Sequence, residues 1–506
     1  MLEDMLVVFV HGWSATSTAT YGQLPARLKA EADRREGPGL DIRQIYLGEY
    51  VSFHDEVRID DIARAFDAAI HRELDDLAAN QRFVCITHSA GGPVVREWLH
   101  RYHVQPRTLD NCPMSHLIML APANFGSALA QLGKSRIGAI KAWFDGVEPG
   151  QGVLDWLELA SPESCELNLS WIDEYPGRKM GRGSNPVFQF VLTGDTIDRK
   201  LYDFVNSYTG ESGSDGVVRV AAANLNASHV VLSQPASRVD EPLPSARKRL
   251  RTLELKSETR AMTTAFKIIP GQSHSGSDMG IMASVRNNGM PHPTVEAIMR
   301  CLQVADGSDY RSLCTQFDSE NEAYQRPAQR LETEHVPVLP DREYIHDPAS
   351  MLILRLFDSR GTRIPDVDVL MTAGPAASPD QLPDGFLLDR QACQRARGNI
   401  TFFLNHAVLA GCPQILRHDG SSAREALLPR PPYGLRLQPR HDKRFVEYWS
   451  AQMDIAQHDL LAWLRPNETT IIDLHMSRIV HEGVFQFTRQ LSPARDFRNV
   501  EPGGVA

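Results

Sequence analysis

The chain has 506 residues, 42% of them hydrophobic and 23% charged, with a formal net charge of −10. That length allows two or three domains with large cores, and the acidic balance excludes a general nucleic-acid-binding role. The seven cysteines (85, 112, 165, 301, 314, 393 and 412) are odd in number, scattered and never spaced C-x-x-C, which excludes a disulfide framework or a zinc site.

The first segment, "MLEDMLVVFVHGW", puts acidic residues ahead of an apolar run and lacks a cleavage site. It reads as a first strand and not as a signal peptide. No apolar stretch approaches the roughly 20 residues a spanning helix needs. A cytoplasmic or peripherally membrane-associated protein is the expectation.

Up to about residue 300, apolar β-branched runs alternate with amphipathic ones. The expected strands are 5–12, 40–48, 82–89, 116–123, 186–194 and 265–271. Residues 21–35, 58–80 and 92–104 carry apolar residues at helical spacing. Near-continuous apolar strands between helices imply a mostly parallel sheet covered on both faces, an α/β fold of the hydrolase or Rossmann type. No G-x-G-x-x-G follows the first strand, which weakens the dinucleotide reading. Residues 127–185, with Trp143, Trp156 and Trp171, interrupt the alternation as a long crossover or a helical cap over an acyl pocket. The basic stretch "ARKRLRTLELK" at 246–256 reads as a solvated loop or helix face.

The expected catalytic domain is 1–323, and the polar, proline-containing segment 324–344 reads as a linker. From 345 to 506, runs at 350–374, 397–406, 433–440, 445–456, 468–480 and 483–491 imply an antiparallel β-rich, sandwich-like domain.

The chemistry centres on "RFVCITHSAGG". A nucleophile on a tight strand-to-helix turn needs small neighbours, and Ala90, Gly91 and Gly92 follow Ser89. Thr87 departs from G-x-S-x-G at the first glycine. Acyl transfer also needs an oxyanion hole, for which the backbone N–H groups of Trp13, in the "HGW" after the first strand, and Ala90 are the candidates. A base and its orienting acid are expected later, in the order Ser, Asp, His. Asp215 in "GSDGVV" and His274 in "GQSHSGS" meet that order and sit in loops. Asp195 and Asp198 compete for the acid role. His88 is expected to point away from its neighbour Ser89, His11 to be structural, His54 to line the pocket or the surface, and His292 to lie too far along the chain.

These residues together resemble a family. "APANFGSALA" (121–130), "SDGVV" (214–218) and the T-H-S-x-G-G elbow are similar to those of the PlaB-type bacterial phospholipase A/lysophospholipase A family. The resemblance covers roughly residues 5–285 by motif and is architectural beyond 340. It implies metal-independent hydrolysis of acyl esters in glycerophospholipids and lysophospholipids, by Ser89, Asp215 and His274 without a cofactor. It further implies peripheral membrane association and a homo-oligomer formed through the C-terminal region. A carboxylesterase, neutral lipase or acyltransferase would share every catalytic residue. A silent hydrolase fold serving as a binding module is the reading from a different class.

Overall fold

The computed structural model describes residues 4–11, 20–35, 38–50, 54–77, 81–131, 150–174, 186–197, 213–235, 250–334, 342–440 and 446–480. Strand β1 (Met5–His11) leads to α1 (Leu24–Arg34), β2 (Leu40–Tyr46), α2 (Ile59–Glu73), β3 (Phe83–His88) and α3 (Gly91–Leu99). Next come β4 (Met114–Leu120), α4 (Gln151–Leu157), α5 (Pro162–Leu169), β5 (Phe188–Thr193), β6 (Ala227–Ser233), β7 (Leu250–Thr252) and β8 (Glu254–Arg260). β9 (Ala265–Ile268), α6 (Pro293–Leu302) and α7 (Gly307–Tyr324) complete this part.

β1 to β5 and β9 form one sheet in the order β2-β1-β3-β4-β5-β9, with every pair parallel. Each strand feeds apolar side chains to both faces. Leu6, Val8 and Val10 of β1 enter a core with Phe66 of α2 and Trp98 of α3. Val7 and Phe9 enter a second core with Leu28 of α1, Ile298 of α6 and Phe317 of α7. That two-sided burial explains the unbroken apolar strands. The layout is an α/β-hydrolase fold, as expected.

Within 127–185, α4 packs into the first core through Val153, Leu157 and the buried Trp156, α5 through Cys165 and Leu167, and the segment after α5 through the buried Trp171. Trp143 lies outside the described residues. In the expected linker, β10 (Leu331–Glu334) pairs antiparallel with β11 (Arg342–Ile345), so part of it is regular structure. There follow β12 (Ala349–Asp358), β13 (Val367–Ala373), β14 (Leu387–Ala392), β15 (Asn399–Asn405), β16 (Ile415–Leu416), β17 (Ser422–Arg424) and β18 (Tyr433–Pro439). The last described strands are β19 (Val446–Tyr448), β20 (Ser450–Ile455), β21 (Thr469–Met476) and β22 (Arg478–Val480). Residues 483–491, expected as a strand, lie outside the described residues.

Two sheets stack here, a six-stranded one in the order β14-β15-β12-β21-β6-β8 and a four-stranded one in the order β13-β18-β20-β7. Most pairs are antiparallel, but β12, β21 and β6 run parallel to one another, as do β20 and β7. The sequence boundary at 324–344 therefore does not separate the layers: β6, β7 and β8 precede it in the chain and belong to these sheets. Leu250–Lys256, expected as a solvated loop or helix face, instead supplies β7 and the start of β8.

β12 shows why the sheets join. Met351 and Ile353 face the hydrolase core, and Leu352, Leu354 and Leu356 face the sandwich core. Continuing the first parity, Arg355 binds Asp473 of β21 through two hydrogen bonds (2.6 and 2.5 Å). His229 of β6 completes the cluster, with Nδ1 2.9 Å from Asp173 and Nε2 3.3 Å from Asp473. Among the described residues no helix is long and apolar enough to cross a membrane.

Burial acts against the His229 imidazolium, but the two carboxylates prevail and raise its pKa to about 9. Its stabilising contribution is full below the ordinary histidine value near 6.5 and is lost as pH rises through about 9. His229→Gln is therefore expected to lower the melting temperature at pH 7 and to match wild type near pH 10, as thermal melts at the two pH values would show.

Candidate active site

Strand β3 ends at His88 and helix α3 begins at Gly91, leaving two residues to reverse the chain direction. Ser89 does so at φ 53°, a left-handed conformation that a serine adopts only at a cost, and its N–H donates to the Leu120 carbonyl (3.0 Å). Close packing explains the small residues behind it. A Cβ on Gly92 would stand 2.8 Å from the Pro122 Cβ and 3.3 Å from the Met119 sulfur. Thr87, in place of the usual glycine, is fully buried against Gly91, where a Cβ would come within 3.3 Å of its own. The bulk missing at residue 91 accommodates the bulk added at residue 87.

His274 follows β9 in a loop that runs against the end of β5. A Cβ at Gly194 would fall 1.9 Å from the Gln272 carbonyl, so residue 194 must be glycine for the two segments to meet. The imidazole is buried, with Nε2 3.0 Å from Ser89 Oγ and Nδ1 2.9 Å from Asp215 Oδ2. Its backbone N–H also donates to the Asp215 carbonyl (3.0 Å). Asp215 is fully buried, and its other carboxylate oxygen accepts the N–H groups of Val217 (3.0 Å) and Val218 (2.7 Å). Three hydrogen bonds thus satisfy a carboxylate that has no access to water.

The segment 121–130 scaffolds this acid turn. Ser127 Oγ donates to the Val217 carbonyl (2.6 Å), and the Phe125 N–H donates to the Ala222 carbonyl (2.9 Å). Asn124 is locked between Arg96 of α3 (3.2 Å) and the Ala223 carbonyl (2.7 Å).

Ala90 stands at the N-terminus of α3, with its carbonyl accepting from Val94 (3.2 Å). Trp13 and Asp198 lie outside the described residues. Asp195 is buried away from the histidine, accepting from the Tyr324 hydroxyl (3.2 Å) and Thr196 (3.4 Å). His11 is buried, bonded to Gln44 (2.8 Å) and stacked on Tyr46. His54 is exposed, and His292 caps α6.

His88 makes a contact that the sequence did not name. Its Nε2 lies 3.1 Å from the His274 carbonyl, and the two rings pack at 4.7 Å. Burial, with His274 alongside, drives its pKa down to about 3, so the neutral ring donates from Nε2 and pins the His274 backbone. Nothing in the sequence marked this contact, because it spans 186 positions. Among the described residues no group of three or more His, Cys, Asp or Glu side chains is placed to hold a metal ion.

No family model matches the chain, and the search of curated proteins found no match. Among solved structures it is similar to phospholipase PlaB from Legionella pneumophila, with 42% identity over 97% of both chains and a TM-score of 0.79. The chain belongs to the PlaB phospholipase family. A second structure of the Legionella PlaB enzyme, in complex with thio-NAD, aligns at 40% identity over 97% of both chains with the same TM-score. The likeness to PlaB thus extends through the C-terminal sheets, well past the motif-bearing region.

Burial raises the Asp195 pKa to about 6, against the hydrogen bonds that hold it down. The fold therefore tolerates the neutral acid best, and that relative stability is lost as pH rises from the ordinary carboxylate value through about 6. Asp195→Asn is expected to raise the melting temperature at pH 8, to show little gain at pH 5 and to retain activity. Paired melts and a fixed-pH ester assay would check all three.

Proposed function

We propose that this lipid-ester hydrolase cleaves the acyl esters of glycerophospholipids and lysophospholipids, with Ser89 as nucleophile, His274 as base and Asp215 as its orienting acid. The observation that carries the reading is the unbroken chain of hydrogen bonds from Asp215 through His274 to Ser89 (2.9 and 3.0 Å). Kinship with an enzyme described as a phospholipase supports the lipid substrate.

In this reading His274 Nε2 takes the Ser89 proton as Oγ attacks the ester carbonyl, and Asp215 stabilises the imidazolium that results. The negative charge forming on the carbonyl oxygen faces the start of α3, where the Ala90 N–H is one proposed donor and Trp13 the other. His274 then protonates the departing alcohol. Water, deprotonated by the same nitrogen, releases the fatty acid from Ser89. The proposal extends to peripheral attachment at the lipid surface and to self-association through the C-terminal region, both implied by the family. No step requires a metal, so chelation is expected to leave turnover intact, and a loss reversed by calcium would overturn that part.

The test compares purified wild type with Ser89→Ala on mixed phospholipid and lysophospholipid dispersions and on a short p-nitrophenyl ester. Wild type is expected to release fatty acid from both lipids, and Ser89→Ala to fall by at least about 10⁴-fold. Turnover of the short ester alone would sink the lipid assignment. Equal activity in the variant would sink the triad.

A further inference from the structure

The turn that carries Asp215 is gripped from outside the parallel-sheet domain. The turn itself is short and closed: Val220 donates to the Gly213 carbonyl (2.9 Å), and Asp215 donates to the Val218 carbonyl (3.1 Å). Directly after it, Arg219 extends into the C-terminal sheets and is buried there, 3% exposed. Its guanidinium pairs with Asp389 of β14 and lies 4.3 Å from the ring centre of Phe403 of β15. Gln391 holds the Asp389 carboxylate from the same strand (2.9 Å). The same Phe403 ring would stand 3.4 Å from a Cβ at Gly213, so one aromatic side chain braces both ends of the turn. Just downstream, Thr469 Oγ1 donates to the Ala221 carbonyl (2.7 Å) and Asn224 Nδ2 to the Asn467 carbonyl (2.7 Å).

We infer that the C-terminal domain sets the position of the catalytic acid, with Arg219 as a positioning residue clamped between Asp389 and Phe403. The inference rests on Asp215 serving as the acid of the proposed triad. The buried guanidinium has a charge partner and an aromatic face where it sits, and displacing it would leave an unpaired buried charge. The turn therefore has one favourable seat. A carboxylate on such a turn keeps the imidazole in line with Ser89, whereas a displacement of an ångström would cost rate without altering how the substrate binds. The sandwich is thus a working part of the catalytic centre.

The experiment uses the full chain and a soluble ester, with kcat and KM measured across pH and a thermal melt for each variant. Asp389→Asn keeps the volume and removes the charge. Its kcat is expected to fall about tenfold with KM changed by less than about twofold. The acid limb of its kcat profile is expected to move to lower pH, because a loosened carboxylate stabilises the imidazolium less. Asp389→Glu restores the charge and is expected to recover most of the loss. An unchanged kcat and acid limb in Asp389→Asn overturns the inference. So does a loss that Asp389→Glu shares with the limb unmoved, since that marks a packing defect. Ser89→Ala separates the two levels: if it is dead while Asp389→Asn is normal, only the positioning role fails, and if it is active, the triad beneath it fails.

Discussion

Strands β12, β21 and β6 each send side chains into two different cores, and the rest of the architecture follows from that constraint. One parity of β12 belongs to the core of the parallel-sheet domain and the other to the sandwich. Neither core can be completed without these strands. A sheet buried on both sides has to be apolar throughout, hence "MLILRLF". Where a charge does fall on the buried parity, it is matched. Arg355, Asp473, His229 and Asp173 form one network across the seam, drawn from the three strands β12, β21 and β6 and from the segment after α5. Removing one member would strand the others in a medium that solvates charge poorly.

The seam also explains where the acid turn lies. Asp215 is held by the N–H groups of Val217 and Val218, by His274, by the Ser127 hydroxyl beneath the turn and by the sandwich through Arg219. On the far side, Ser89 is fixed in a left-handed conformation by the demands of a two-residue reversal between β3 and α3. His88 and Gly194 fix the loop between them. Ser89, His274 and Asp215 stand in line because the segments that carry them are tied to their neighbours. Preorganisation of this kind is the condition under which a serine becomes reactive at neutral pH.

Much of this was legible in the sequence. The strands and helices of the parallel sheet follow from apolar periodicity, since helical and extended spacing differ too much to be confused over such lengths. Small residues after Ser89 announce a tight turn, and Asp215 and His274 stand in loops in the required chain order. Pattern favoured Asp215 over Asp195 without deciding between them. Both follow turn residues, and the choice depends on which loop folds back toward Ser89. The turn is carried there by contacts of Ser127, Arg219 and Thr469 with residues as much as 248 positions distant. The assignment of β6 to β8 was beyond reach for a related reason. A short strand carries no mark of the sheet it will join, and "ASHVVLS" pairs with β21 across more than two hundred residues.

The sequence by itself determined the hydrolase fold, the elbow and the candidate residues for acyl transfer, because these depend on local periodicity, turn chemistry and order along the chain. Only the tertiary structure decided which aspartate faces His274, that His88 braces the His274 backbone, and that the sandwich reaches the Asp215 turn. Those outcomes depend on side chains meeting across long separations in a dry interior, where burial and partner choice determine each group's charge and position.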